Sequence, residues 1–204
     1  MRLETELFAA CALAFFAFAL LGLWVVRRAA GGLDAIGLQM RGGAVLLARA
    51  FTISGRSVGV TCACVVAVLV FLLLRLPLWI PAGIILSQIV SQAVVETAKV
   101  LYGRKRPDYW LLGLDAGHSY PSGHAATAVI FFLGWAVAAI FSGMAAAPRD
   151  AIAALLVLWA LGIAWSRLAL GAHYLSDVVG GLLFGCGWLC GVLALLLHFA
   201  ILRA

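Results

Sequence analysis

Six long apolar stretches alternate with short polar segments along the chain. They cover residues 7–26, 57–74, 76–95, 125–148, 151–166 and 178–202, and none of them contains a lysine, arginine, aspartate or glutamate. Each approaches or reaches the ~20 residues that an α-helix needs to cross the hydrocarbon core of a bilayer. The pattern therefore predicts an all-α, polytopic membrane protein with six transmembrane helices.

The composition indicates that lipid is the solvent for most of the chain. Of the 204 residues, 66% are hydrophobic and 11% are charged, and the mean hydropathy is +1.14, whereas soluble domains are about 45–50% apolar and about 25% charged. The first run is interpreted as a membrane span and not as a cleaved signal, because Arg27 and Arg28 follow it. We expect one domain over residues 1–204, with a core of 57–200 that follows the first span and an interfacial segment in 1–56.

The polar residues are concentrated in two of the loops. One region extends from Glu96 to His124, between the third and fourth runs, and the other from Arg167 to Asp177, between the fifth and sixth. In a chain with six spans these two loops emerge on the same side of the membrane. The topology therefore predicts a helical bundle that carries one composite site at one membrane face.

Three short motifs lie in these two regions. The motifs are Lys99 separated by six residues from Arg106-Pro107, the tetrapeptide PSGH at 121–124, and Arg167 followed after five residues by His173 and after three more by Asp177. In order and spacing the set resembles the three-part signature of the type-2 phosphatidic acid phosphatase and vanadium haloperoxidase superfamily. The resemblance covers about residues 57–200. Within that superfamily the chain is most similar to bacterial membrane lipid phosphate phosphatases that act on undecaprenyl diphosphate or phosphatidylglycerophosphate.

The cationic residues of the motifs are suited to holding a phosphate ester. Charge spreads over the phosphoryl oxygens in the transition state of hydrolysis, so preorganised cations assist the reaction. We expect Lys99, Arg106 and Arg167 to bind phosphate, the arginines through bidentate guanidinium groups. Ser122 and Gly123 stand at the start of the fourth span, where backbone N–H groups and the helix dipole favour an anion. Gly123 lets the backbone approach the phosphate, and Ser122 is expected to cap the helix.

Two histidines and one aspartate are the expected catalytic residues. His173 and Asp177 are four residues apart, so in a helix the carboxylate can orient the ring through Nδ1–H and leave Nε2 available. The resemblance implies that His173 is the nucleophile and forms a phosphohistidine intermediate. His124 is expected to protonate the leaving oxygen and then to deprotonate the attacking water. No metal or other cofactor is expected, because the cations already neutralise the phosphate.

Three basic residues in or near the first motif have interpretations other than phosphate binding. Lys99 can also pair with Glu96, which lies three residues earlier on the same predicted helix. Arg104 and Lys105 are interpreted as interfacial anchors whose charged ends extend to water.

The leading functional hypothesis is an integral membrane phosphatase. Its expected partners are a lipid phosphate substrate, such as phosphatidic acid, phosphatidylglycerophosphate or undecaprenyl diphosphate, and the bilayer, with no nucleic acid. A lipid phosphotransferase would use the same phosphohistidine with another hydroxyl as acceptor. A transporter of anionic lipid is a third hypothesis, which the position of the ionisable residues near one face disfavours. The sequence does not indicate an oligomeric state.

The loop charges and the family resemblance disagree about orientation. The loop after the first run, on the side of the composite site, carries five arginines, whereas the opposite side carries Arg2, Arg75, Arg149 and Arg203. The positive-inside rule would therefore place the site in the cytoplasm. The resemblance implies a site that faces the periplasm or exterior of a bacterial inner membrane. We expect the latter orientation, because cations on the active face have phosphate to bind.

Residues 33–51 offer a second reason for this choice. They place Leu33, Ile36 and Met40 on one side of a helix and Asp34 and Arg41 on the opposite side. This pattern resembles an interfacial helix whose polar side meets acidic headgroups.

A reporter protein fused after Ala204 tests the orientation. With six spans and the site outside, both ends of the chain lie in the cytoplasm, so a reporter that functions only in the cytoplasm is expected to be active. Activity of a reporter that functions only outside the cytoplasm would contradict the assignment.

Overall fold

The structure is a computed structural model, and it describes residues 2–28, 31–108, 111, 117–199 and 201. Arg203 and Ala204, which enter the charge count and the reporter test, lie outside the described residues. All regular secondary structure in the described residues is helical. The helices are α1 (Arg2–Val26), α2 (Leu33–Gln39), α3 (Val45–Ser54), α4 (Ser57–Leu73), α5 (Trp79–Tyr102), α6 (Gly123–Thr127), a π-helical turn (Ala128–Leu133), α7 (Gly134–Ile140), α8 (Ala146–Ala169) and α9 (Leu175–His198).

Five continuous stretches of helix are long and apolar enough to cross a membrane. They are α1, α5, the run from α6 to α7, α8 and α9, and α3 with α4 forms a sixth candidate span that is bent by 59°. The predicted all-helical membrane fold is therefore confirmed, with five to six spans in the described residues. The bent pair is needed for the sixth span because α4 alone has 17 residues, fewer than the ~20 that a bilayer core requires.

The connection between the fourth and fifth spans differs from the predicted boundaries. The fourth span ends at Ile140 instead of residue 148, and α8 already begins at Ala146. Gly143 has a positive φ of 71°, a conformation that glycine adopts without steric cost and that separates the two helices. Pro148 falls in the first turn of α8, where its missing N–H group has no helical partner to lose.

The segment after α1 forms two short helices instead of one interfacial helix over residues 33–51. The chain turns between α2 and α3, where Gly42 and Ala44 have positive φ values of 84° and 43°. The apolar side chain of Ile36 is exposed, as expected for a helix at a membrane interface. The expectation that Asp34 faces lipid headgroups is wrong, because Asp34 is buried against the start of α9.

The start of the fourth span approaches α9 closely because glycines face the contact. A Cβ atom on Gly181 would lie 2.4 Å from the carbonyl oxygen of Ser122, and one on Gly185 would lie 2.6 Å from Cβ of Val129. Small residues allow the backbones of two membrane helices to approach. The packing places the start of α6 beside the start of α9, and so brings the second and third motifs together.

Aromatic side chains join α1 to α9 and to the loop before α6. The rings of Phe15 and Phe18 contact Phe184 edge to face, at centroid distances of 5.7 and 5.5 Å. Tyr120 stacks on Phe18 at 5.5 Å and donates its hydroxyl proton to the carbonyl oxygen of Phe18 at 2.6 Å. The first span therefore supports the loop that carries the second motif.

Replacement of Gly181 by alanine tests the close contact between α6 and α9. We expect Gly181→Ala to destabilise the protein by ~1–3 kcal/mol, because the added methyl group has no space and the helices must separate. Thermal unfolding in detergent, followed by tryptophan fluorescence, measures the effect.

Gly83→Ala is the matched control, since a Cβ at this helical position meets nothing within 4 Å. Its melting temperature is expected to equal or exceed that of the parent protein. Equal melting temperatures for the two variants would contradict the packing role of Gly181.

Candidate active site

A cavity of about 850 Å³ lies between the start of α4 and the second half of α5, next to the start of α6. The residues of the three motifs that line it are Lys99, Arg106, Gly123, His124 and His173. The two imidazole rings therefore face one compartment, although 49 residues separate His124 from His173 in the sequence (173 − 124 = 49).

The ring of His173 is held on both sides by polar groups. Its Nδ1 lies 3.6 Å from Oδ2 of Asp177 and 3.3 Å from the hydroxyl of Ser119. Its Nε2 lies 3.2 Å from Nη1 of Arg106. Because a guanidinium group can only donate, this contact requires an unprotonated Nε2 and places the ring proton on Nδ1. The described contacts thus select the tautomer whose Nε2 lone pair lies at the cavity.

Burial keeps His173 neutral. The residue is 4% exposed, and burial lowers the pKa of His173 to about 4, against the hydrogen bond and charge of Asp177, which raise it. The positive charges of Arg167 and Arg106 add to the lowering. The lowered pKa favours the uncharged form of the imidazole at neutral pH.

His124 is the second residue of α6 and lines the same cavity as His173. Its ring packs against the turn between α3 and α4, since a Cβ on Gly55 would lie 3.1 Å from Cδ2 of His124. Its Nε2 is buried and has no hydrogen-bond partner among the described residues. This nitrogen is therefore able to form a hydrogen bond with a molecule in the cavity.

The three expected phosphate-binding cations have different surroundings. Arg167 is fully buried in the last turn of α8 and donates to the hydroxyl of Thr52. Arg106 donates to the carbonyl oxygens of Ala172 at 3.1 Å and Gly117 at 3.2 Å, which orients its guanidinium group.

The ion-pair interpretation of Lys99 is confirmed, and its role in phosphate binding stays a prediction. Its Nζ lies 2.7 Å from Oε1 of Glu96, so the predicted ion pair is present. The same Nζ would lie 3.4 Å from a Cβ on Gly123, so the ammonium group also adjoins the start of α6. Any side chain at position 123 would occupy the space between them.

Ser122 caps α6, as expected. Its side-chain oxygen accepts a hydrogen bond from the backbone N–H of Ala125 at 3.4 Å. Its own backbone N–H donates to the carbonyl oxygen of Asp177 at 3.0 Å. The serine therefore joins the second motif to the third through its backbone, and its hydroxyl is directed at its own helix.

The interpretation of Arg104 as an interfacial anchor is wrong. Arg104 is buried, its Nη1 lies 2.6 Å from Oδ1 of Asp177, and its Nη2 lies 2.6 Å from Oδ2 of Asp34. Although burial disfavours the cation, the charges and hydrogen bonds of Asp177 and Asp34 raise the pKa of Arg104 above its ordinary value. Lys105, which was interpreted in the same way, is exposed.

Sequence reasoning also missed three other residues of the site. Ser119 contacts both His173 and Asp177, Thr52 contacts Arg167, and Arg56 lines the cavity at the turn before α4. One feature of the sequence could have indicated Ser119, because it lies two residues before the PSGH motif. Thr52 and Arg56 lie outside all three motifs, and only the fold brings them to the site.

The fold and the cavity define a class of protein. It is an integral membrane protein whose helices bring two histidines, a buried aspartate and several cations to one site. A family model described as the PAP2 superfamily matches residues 76–200, and the chain belongs to this superfamily. The match confirms the family resemblance that the three motifs indicated.

Two relatives are lipid A 1-phosphatases of rhizobia. The protein of Rhizobium etli is 33% identical over 120 residues, which cover 54% of this chain and 47% of the relative. The protein of Rhizobium johnstonii is 32% identical over 117 residues, which cover 52% of this chain and 44% of the relative. The aligned region thus spans about half the length of the curated relatives.

Two solved structures share the fold. The transmembrane PAP2-type phosphatidylglycerolphosphate phosphatase from Bacillus subtilis superposes with a TM-score of 0.77 at 21% identity, covering 95% of this chain and 98% of that chain. LpxE from Aquifex aeolicus superposes with a TM-score of 0.56 at 23% identity, covering 80% of this chain and 92% of that chain. Because both sequence identities are below 25%, these two comparisons show a shared fold and nothing further.

Arg56→Gln tests whether the cavity uses a cation outside the motifs. We expect this variant to bind orthophosphate at least about 10-fold more weakly, because a hydrogen bond to a charged group contributes ~1.5–3 kcal/mol. Isothermal titration calorimetry of the purified protein in detergent measures the dissociation constant. Arg49→Gln, which removes an exposed cation from α3, is the control and is expected to bind orthophosphate as the parent does. Equal affinity of both variants would exclude Arg56 from the phosphate site.

Proposed function

We propose that this protein is an integral membrane phosphatase that hydrolyses a phosphate monoester or diphosphate of a lipid through a phosphohistidine intermediate, without a metal. The observation that carries the proposal is that His124 and His173 line one cavity together with Lys99 and Arg106. The membership of the PAP2 superfamily supports the same reaction class.

Binding of the phosphate is the first step. Lys99, Arg106 and Arg167 neutralise its charge and stabilise the charge that spreads over the phosphoryl oxygens as the ester bond breaks. Gly123 permits close approach because it presents only backbone at this wall of the cavity. Ser122 assists through its cap of α6, which holds the backbone N–H groups of this turn in place.

The first chemical step forms a bond between phosphorus and Nε2 of His173. Nδ1–H stays directed at Asp177, which stabilises the positive charge that develops on the ring. The bond between phosphorus and the lipid oxygen breaks, and His124 in its protonated form transfers a proton to that oxygen. The lipid alcohol, or the lipid phosphate if the substrate is a diphosphate, departs.

The second step regenerates the enzyme. His124, now neutral, accepts a proton from water, and the hydroxide attacks phosphorus. The bond between nitrogen and phosphorus breaks, orthophosphate leaves, and His124 is again protonated for the next cycle. Each histidine thus returns to its initial state.

The shape of the cavity supports a substrate that stays in the bilayer. The lining includes Val58 of α4 and Ile89 of α5, whose apolar side chains are exposed. Gln88 and Gln92 of α5 line the same cavity as His124. An acyl or isoprenyl chain can therefore remain in lipid while the phosphate reaches the histidines.

The proposed substrates are phosphatidic acid, phosphatidylglycerophosphate and undecaprenyl diphosphate. The names of the rhizobial relatives add the 1-phosphate of lipid A to this set. We also propose a location in a bacterial inner membrane with the cavity on the periplasmic or exterior face.

A panel of lipid phosphates tests the proposed function. The purified protein is incubated with each lipid in detergent containing EDTA, and orthophosphate is measured. Release of orthophosphate from at least one lipid is expected. Activity that EDTA abolishes and a divalent cation restores would contradict the metal-independent mechanism, and absence of release from every lipid would contradict the phosphatase.

Replacement of His173 and Asp177 tests the roles of the two residues. His173→Ala is expected to abolish orthophosphate release, because the nucleophile is lost. Asp177→Asn is expected to lower kcat by up to about 10⁴-fold without abolishing turnover, since an amide no longer selects the reactive tautomer. Gel filtration in detergent checks that both variants are folded.

Arg75→Ala is the control for these variants. Arg75 is exposed in the connection between α4 and α5, at the end of both helices remote from the motifs, and its loss is expected to change little. Full turnover in His173→Ala, or a large loss in Arg75→Ala, would contradict a site built around His173.

A further inference from the structure

The two carboxylate oxygens of Asp177 have different hydrogen-bond partners. Oδ2 faces Nδ1 of His173, accepts from the hydroxyl of Ser119 and accepts from the backbone N–H of Tyr174 at 2.9 Å. Oδ1 accepts from Nη1 of Arg104 at 2.6 Å. The carboxylate cannot rotate without giving up one of these contacts, so Arg104 helps to determine which oxygen meets His173.

The guanidinium group of Arg104 also binds partners other than Asp177. Nη2 donates to Oδ2 of Asp34 at 2.6 Å, and Nη1 also donates to the hydroxyl of Ser176 at 2.7 Å. The guanidinium carbon lies 4.3 Å from the centre of the Tyr174 ring. One cation therefore bridges two buried carboxylates, in an environment where an unpaired charge is costly.

Asp34 binds the start of α9 as well as Arg104. Its Oδ1 accepts from the backbone N–H of Ser176 at 3.0 Å and from the hydroxyl of Ser176 at 2.6 Å. A carboxylate beside the first turn of a helix interacts favourably with the N–H groups there. The neighbouring Gly37 packs closely on Leu175, since a Cβ on Gly37 would lie 3.0 Å from Cβ of Leu175. Helix α2 therefore packs against, and is hydrogen-bonded to, the first turn of α9, which carries Asp177.

The described side-chain contacts of Asp34 and Arg104 lead to Tyr174, Ser176 and Asp177, and not to His124 or His173. Asp34 and Arg104 both lie outside the set of residues that line the cavity of His124 and His173. Asp34 also lies before residues 76–200, the region that matches the PAP2 family model. The side chains of the pair meet the candidate catalytic residues at Asp177.

We propose that Asp34 and Arg104 are positioning residues, which hold the carboxylate of Asp177 so that Oδ2 orients His173. The inference rests on the proposed function of His173 as nucleophile. Arg104 supplies the contact that fixes the second oxygen, and Asp34 keeps Arg104 in place from the segment after α1. Because Arg104 also pairs with Asp34, it neutralises Asp177 less than an undivided ion pair would. Asp177 can therefore better stabilise the positive charge that develops on the ring of His173 in the proposed reaction.

Asp34→Asn and Arg104→Gln test the proposal, with Asp108→Asn and Lys105→Gln as exposed controls from the loop after α5. We expect each test variant to lower kcat by about 10- to 100-fold, as for other small displacements of reacting groups. We expect KM and inhibition by orthovanadate to change by less than about threefold, because the phosphate-binding cations remain. The controls are expected to match the parent protein.

A purely structural role would give a different result. It would reduce the folded fraction, which gel filtration and thermal unfolding measure, but it would leave kcat per folded molecule unchanged. Arg104→Lys provides a second variant if Arg104→Gln does not fold. It keeps the charge, but an ammonium group lacks the guanidinium fork that reaches both carboxylates, so the loss of kcat is expected to persist.

A double variant separates positioning from an independent effect. If Asp34 acts through Asp177, then Asp34→Asn combined with Asp177→Asn is expected to be no slower than Asp177→Asn alone. Losses that multiply in the double variant, or a kcat in Asp34→Asn equal to that in Asp108→Asn, would overturn the proposal.

Hydrogen exchange gives a readout that does not depend on the substrate. Asp34→Asn is expected to raise amide exchange at Ser176 and Asp177, measured by mass spectrometry on the peptide that spans the start of α9. Unchanged exchange there would overturn the positioning role, even if the parent protein released no phosphate. Failure of the parent protein on every lipid would contradict the phosphatase separately.

Discussion

The charge of Asp177 is buried completely in the first turn of a membrane-spanning helix, and a buried charge must be paired. Its partners His173, Ser119 and Arg104 come from the loop before α9 and the loop between α5 and α6. These two loops must therefore converge for the helix to be stable, and their convergence builds the cavity. Because Arg104 in turn pairs with Asp34, the same requirement draws the segment after α1 onto the bundle.

Close helix packing makes this convergence possible. Within lipid, helices gain little from burying apolar surface, so association depends on close contact and on interhelical hydrogen bonds. Gly181 provides the close contact, and the bond from the N–H of Ser122 to the carbonyl oxygen of Asp177 joins the two helix starts. The stacking of Tyr120 on Phe18 supports the same loop from α1. Packing and charge pairing thus favour the same arrangement.

The two histidines of the cavity differ in their surroundings in a way that suits different chemical roles. His173 is fixed by Asp177 on one side and by Arg106 on the other, and its lowered pKa keeps it neutral. His124 offers a buried Nε2 that has no partner among the described residues. One ring is therefore oriented for attack and the other has capacity for proton transfer, as the proposed two-step reaction requires. The exposed apolar residues in the cavity lining on α4 and α5 accord with the proposed substrate that remains in the bilayer.

Most of the fold could be predicted from the sequence, because a backbone in lipid must satisfy its hydrogen bonds internally and an uncharged run of sufficient length forms a helix. The six-span topology also predicted that the loops carrying Lys99, His124 and His173 lie on one face. The role of Arg104 could not be predicted, since Arg104 and Arg106 are two residues apart and chemically identical. Only the packed structure shows that Arg106 contacts His173, whereas Arg104 bridges Asp177 to Asp34, which lies 70 residues before Arg104 in the chain. The sequence by itself determined the helical membrane fold and the candidate site residues. The tertiary structure decided which buried charges are paired, because pairing depends on distances between side chains that are remote along the chain.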